Sequence, residues 1–90
     1  MNEIKNTINW IDCEIRNKQT GTPSELAEKL SISVRLLYLY LDMMRGLGAN
    51  ITFCKQKMTF EYVKPGHFED GTRWIEENDM NVSLVTTNSI

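Results

Sequence analysis

The sequence predicts a mainly α-helical domain with a small β-hairpin, and three features carry that expectation. The first is an isoleucine stripe, Ile4, Ile8, Ile11 and Ile15, at the spacing of one helix face. The second is a pair of helix-start signals, Thr22-Pro23-Ser24-Glu25 and Ser33, each ahead of an apolar run of helical period. The third is two short alternating segments, 51–54 and 59–62, joined by the polar turn Lys55-Gln56-Lys57.

The first helix is expected over 3–17, with Trp10 beside the isoleucine stripe and Lys5, Asn9, Asp12 and Arg16 on the opposite, polar face. A second follows over 23–30. Thr22 is suited to cap it, Pro23 to its first position, and Glu25 stands three residues after Thr22 as in a capping box. Leu26, Ala27 and Leu30 are its inward residues. Ser31-Ile32 makes a turn, Ser33 caps a third helix reaching about residue 47, and Gly46 and Gly48 end it. In the hairpin, Ile51 and Phe53 face Phe60 and Tyr62, and Pro65-Gly66 stops the second strand. Residues 20–22 are a candidate edge strand.

Ninety residues with 41% hydrophobic side chains make one small domain with a modest core. The net charge of −2 is unevenly placed. Residues 1–64 carry nine basic against seven acidic side chains, a balance of +2, whereas 65–90 hold Arg73 against five acids, a balance of −4. We therefore divide the chain into a domain over 1–64 and an acidic C-terminal extension over 65–90. That extension holds Phe68, Trp74, Ile75, Met80, Val82, Leu84 and Val85 and is too apolar for a purely disordered tail. A helical turn at 72–78, a strand at 82–86, or docking on a partner or second copy are its expected forms.

Cys13 and Cys54 form no close pair and no metal-ligand spacing, and His67 is the single histidine. No metal and no cofactor is expected, both thiols are expected as buried small side chains, and His67 as a surface-loop residue. There is no glycine-rich phosphate loop, no nucleophile with a paired base and no carboxylate pair tied to a pocket, so catalysis is not expected. The chain shows no leader and no apolar run near about 18 residues, which predicts a soluble, cytoplasmic, reducing setting without membrane attachment.

The run from Ser24 to Tyr62, helix, tight turn, longer helix and hairpin, resembles the winged helix-turn-helix domain of bacterial transcription regulators, the DeoR-like helix-turn-helix in particular. The resemblance covers residues 8–64. It rests on Leu26, Ala27, Leu30, Ile32, Leu37 and Leu41 at the positions that lock two crossing helices. The Gly-Leu-Gly-Ala joint at 46–49, just before the hairpin, adds to it. It implies three helices plus a two- or three-stranded wing, and a DNA-binding regulator that places its third helix in the major groove.

On that frame Ser24, Ser33, Val34, Arg35, Leu36, Leu39 and Tyr40 take the DNA-facing positions of the two helices, and Lys55, Gln56 and Lys57 the tip of the wing. Val34, Leu36 and Leu39 stand where the resemblance implies base contacts, and Arg35 and Tyr40 keep polar reach. Each position has a plainer alternative: capping for Ser24 and Ser33, a solvated side chain for Arg35, a soluble turn for 55–57. Tyr38 is expected half-buried. The apolar residues Leu36, Leu39 and Met43 point equally to a protein contact, with Trp74 and Ile75 of the extension as further interface residues. Two functions stand side by side. One is a small DNA-binding regulator, acting as a homodimer on paired half-sites or within a larger complex. The other is a winged-helix interaction or dimerisation module that does not bind DNA.

Overall fold

The computed structural model describes residues 3–77. Three helices come first, α1 (Glu3–Arg16), α2 (Pro23–Leu30) and α3 (Val34–Gly46). Four strands follow, β1 (Ile51–Cys54), β2 (Thr59–Tyr62), β3 (Gly66–Glu69) and β4 (Arg73–Glu76). The strands form two separate antiparallel hairpins, β1–β2 and β3–β4. The architecture is a mixed α/β one, in an order of elements compatible with a winged-helix-like layout.

Ile8, Ile11 and Ile15 of α1 meet Leu26 and Ala27 of α2 and Leu37, Leu41 and Met44 of α3 in the buried core. Ala49, Ile51 and Phe60 bring the first hairpin into it, and Phe68 the second. The helix starts form as their residues dictate. Thr22 Oγ1 accepts from the Glu25 N–H at 3.2 Å while Glu25 Oε1 accepts from the Thr22 N–H at 2.8 Å, which satisfies two end donors that would otherwise lack partners. Those bonds from Thr22 hold the Glu25 carboxyl below its ordinary range. Ser33 Oγ accepts from the Leu36 N–H at 3.1 Å and caps α3. Ser31, at φ 58, makes the left-handed turn between α2 and α3.

In the first hairpin Ile51 lies opposite Tyr62 and Phe53 opposite Phe60, with the two phenyl rings edge-to-face at 5.0 Å. Its turn takes in Met58, at φ 53, as well as 55–57.

Several expectations are corrected. No helical turn forms at the start of 72–78: Arg73–Glu76 is the strand β4, paired with β3. The cause is Asp70-Gly71, at φ 55 and 66, which reverses the chain so that the Thr72 N–H donates to the Glu69 carbonyl. An Asp-Gly between Phe68 and Trp74 is a local hairpin signal. The strand expected at 82–86 lies outside the described residues. No strand forms at 20–22 either, because Gly21, at φ 74, turns the chain straight into the Thr22 cap. Thr20 docks singly instead. Its N–H donates to Thr59 Oγ1 at 3.2 Å and its Oγ1 accepts from the Phe60 N–H at 2.8 Å. Ile4 is 55% exposed, beyond the reach of the core. Cys13 is exposed on the solvent side of α1 and Cys54 half-buried at the end of β1, so neither is a core residue. His67 sits in β3, half-buried, with Nε2 3.8 Å from Glu69.

Asp12, expected on the polar face, is 1% exposed. Its Oδ1 accepts from the Tyr62 hydroxyl at 2.7 Å and its Oδ2 from Arg16 Nε at 3.1 Å. A buried carboxylate is tolerated when both oxygens are bonded and a cation is adjacent. Burial, with the hydrogen bond to Asp12 next, holds the Tyr62 phenol well above the usual tyrosine range. Below about pH 10 the phenol is protonated in both the folded and the unfolded chain. Above it the unfolded chain releases the proton and the folded one keeps it, so stability falls as pH rises. Tyr62→Phe removes this contribution. Urea unfolding of both proteins is expected to show a wild-type loss about 1.4 kcal/mol larger by pH 11, relative to pH 9. Parallel pH profiles would show that Tyr62 ionises in place.

Candidate nucleic-acid interface

The helix α3 is anchored on one side only. Leu37, Leu41 and Met44 are fully buried, and at 100° per residue the rest of its circumference divides into two flanks. One carries Val34, Arg35, Tyr38, Asp42 and Arg45. The other carries Leu36, Leu39, Met43 and, just past the helix, Leu47. Every residue on both flanks is exposed. The β3–β4 hairpin packs against α1, which leaves the outer side of α3 open among the described residues.

Seven of the ten DNA-facing residues expected from the sequence, Val34, Arg35, Leu36, Leu39, Lys55, Gln56 and Lys57, are exposed on α3 or on the first hairpin's tip. The other three need comment. Ser24 lies exposed within the first turn of α2 and does not cap it, since Thr22 does. Ser33 does cap α3, so its hydroxyl is already engaged. Tyr40 is half-buried and packed on the core, because residues 37, 40, 41 and 44 share one helix face. Tyr38 takes the outward place instead, 43% exposed and three residues from Arg35. Sequence reasoning missed it, although the same 100° step that sends Tyr40 inward was there to find it.

The charges sort into two groups. Arg16 pairs with Asp12 at 3.1 Å, Lys29 with Glu14 at 3.3 Å, Arg45 with Asp42 at 3.1 Å and Arg73 with Glu69 at 3.8 Å. Arg45 Nη2 also donates to the Ile51 carbonyl at 3.2 Å, tying α3 to β1. Arg35, Lys55 and Lys57 pair with no carboxylate among the described residues, as is also true of Lys5, Lys18 and Lys64. The first turn of α3 holds no acidic side chain, so the positive end of its dipole is uncompensated there, whereas Glu25 occupies that role in α2.

The expected interface residues do not form one surface. Trp74 is half-buried, its ring 4.5 Å from Tyr62 and 5.3 Å from Phe68, and its indole lies against Gly48 and Gly66. Its Nε1 is buried without an acceptor among the described residues. Ile75 is half-buried across from His67. Both belong to the second hairpin, whereas Leu36, Leu39 and Met43 line the outer side of α3. An apolar groove of about 530 Å³ runs between the start of α1 and the end of α3, lined by Ile4, Ile8, Met43, Gly46 and Leu47. Among the described residues no cluster of His, Cys, Asp and Glu has the makings of a metal site, and no helix is long and apolar enough to cross a membrane.

Comparison with protein-family models, with known proteins and with solved structures returns no match, so the site rests on its own geometry.

Proposed function

We propose that this chain is a small DNA-binding transcription regulator of winged helix-turn-helix layout. In this reading α3 enters the major groove by its N-terminal half, and the 55–57 tip meets the backbone as a wing. The observation that carries it is the placing of three of the cations that pair with no carboxylate among the described residues: Arg35 lies exposed in the first turn of α3 and Lys55 and Lys57 at the tip of the first hairpin, while Arg16, Lys29, Arg45 and Arg73 are spent on carboxylates. Phosphates want such unpaired donors. Val34, Arg35 and Tyr38 then face the bases or the backbone, the α3 N-terminus supports a phosphate, and no catalytic step or cofactor is involved. A cytoplasmic location goes with this role.

A mixed-sequence duplex titrated by fluorescence anisotropy tests it. The expected non-specific Kd is on the order of 10⁻⁴ to 10⁻⁶ M, weakening steeply between low salt and about 200 mM. Arg35→Ala, Lys55→Ala and Lys57→Ala combined should weaken binding and lower the slope of log K against log salt by about two to three, one phosphate contact per cation. An unchanged slope would remove these three residues from the interface.

A second reading, a winged-helix interaction module that does not bind DNA, is favoured by one observation: Leu36, Leu39 and Met43 are exposed where donors would serve DNA better. Absence of duplex binding even at low salt would select it.

A further inference from the structure

We infer that α3 recognises thymine, with Leu36 and Leu39 resting on thymine 5-methyl groups in the major groove beside a guanine held by Arg35. The inference rests on the DNA-binding reading above and deepens it, by naming the bases this helix reads.

The two flanks of α3 meet on its outermost line. Arg35 and Leu39, four residues apart, lie about 40° from each other and roughly opposite the buried Leu37 and Leu41. Tyr38 borders Arg35 on one side and Leu36 borders Leu39 on the other, each about 60° further round. Leu39, at 56%, is the most exposed large apolar side chain of the three helices, and Leu36 is exposed beside it. A helix laid in the major groove turns this line to the base edges. Arg35 and Leu39 reach those edges first, with Leu36 alongside.

Each base offers a different edge there, and the residues of α3 match only two of them. Adenine is recognised through a carboxamide, and α3 has no Asn or Gln; it has no Ser, Thr or Lys either. The amino group of cytosine needs a carboxylate, and the one acid of the helix, Asp42, is bonded to Arg45 at 3.1 Å. Guanine takes two hydrogen bonds from a guanidinium, which Arg35 supplies. Thymine carries a methyl group that takes apolar contact, which Leu36 and Leu39 supply.

The mixture on this face also fits DNA. Arg35 stands among the leucines, the first turn of α3 holds no acid, and Lys55 and Lys57 lie at the hairpin tip. Phosphates with methyl groups between them complement such a surface in charge and in polarity. Burying a leucine against a methyl group removes apolar surface of both from water, which is favourable.

The probes that test this are duplexes selected by the full chain from a random-sequence pool, each made again with deoxyuridine in place of thymidine. That exchange removes the methyl group and keeps every hydrogen-bonding group. The selected duplexes should hold thymines next to a guanine, and deoxyuridine should weaken binding about fourfold for each methyl contacted. Leu36→Ala combined with Leu39→Ala should bind both forms equally, with the salt dependence of the wild type, because neither leucine meets a phosphate. Both side chains are exposed and alanine favours a helix, so the double variant keeps the fold. Salt-sensitive binding with equal affinity for the two forms, or a deoxyuridine deficit that persists in the double variant, overturns the inference and leaves the DNA reading standing. Absence of binding to any duplex at low salt overturns both.

Discussion

Phe68→Ala is expected to destabilise the whole domain by about 3–5 kcal/mol, the range for emptying a buried phenylalanine site. The side chain is 5% exposed, contributes to the same core as the α1 isoleucines, and lies 5.3 Å ring to ring from Trp74. Its loss opens a cavity between α1 and the second hairpin and leaves Trp74 without one of its two aromatic neighbours. A domain of this size commonly has about 5–13 kcal/mol in all, so the midpoint of thermal unfolding should fall by about 15–30 °C. The informative measurement is urea unfolding followed separately by helix ellipticity and by tryptophan fluorescence, which reports Trp74 as well as Trp10. Coincident transitions, both shifted, would make residues 66–76 part of one cooperative unit with the three helices. A shift confined to the fluorescence signal would make the second hairpin an appendage with a stability of its own, as the boundary after residue 64 implies.

Asp12→Ala is expected to cost about 3 kcal/mol. The substitution removes a charge-assisted bond from the Tyr62 hydroxyl and one from Arg16, and strands that hydroxyl in the interior, where an unmet donor costs about 1–3 kcal/mol. Arg16 is half exposed and turns to water, so the buried positive charge that makes some broken ion pairs so costly does not arise here. Asp12→Ala with Tyr62→Phe removes both partners, and in that background the cost should shrink by about 1–3 kcal/mol, the signature of direct coupling in a double-mutant cycle measured by urea unfolding. Additive single effects would show that Asp12 and Tyr62 do not support each other. The pair joins α1 to β2 across fifty residues of chain, so its loss bears on how the first hairpin is held against the helices that carry the candidate site.

Local signals account for most of what was legible beforehand. Thr22, Pro23 and Glu25 mark the start of α2, and Ser33 that of α3, through bonds that reach only three residues along the chain. Both strands of the first hairpin follow from alternation over four residues each, which needs no knowledge of the rest of the chain. The exposure of Arg35, Leu36, Leu39 and Met43 follows from helical periodicity once Leu37 and Leu41 are taken as core, and that of Lys55 and Lys57 from their place in a polar turn. Asp70-Gly71 belongs with these, since the second hairpin is encoded in a turn dipeptide between Phe68 and Trp74.

Other features were decided only when distant parts of the chain met. The polar stripe of α1 ought to face water, but Tyr62 arrives from β2 and turns Asp12 into a buried acceptor. Nothing local marks Thr20 for burial, and it is buried because Thr59 and Phe60 offer partners thirty-nine and forty residues away. Which cations stay free is likewise a tertiary matter. Arg45 is held by Asp42 within its own helix and by the Ile51 carbonyl beyond it, and Lys29 finds Glu14 on another helix, while Arg35, Lys55 and Lys57 are left without a carboxylate among the described residues. The sequence determines the local elements, because caps, turns and periodicity act over a few residues. The tertiary structure decides burial, pairing and which surface remains open, because those depend on neighbours that only folding brings within a few ångströms.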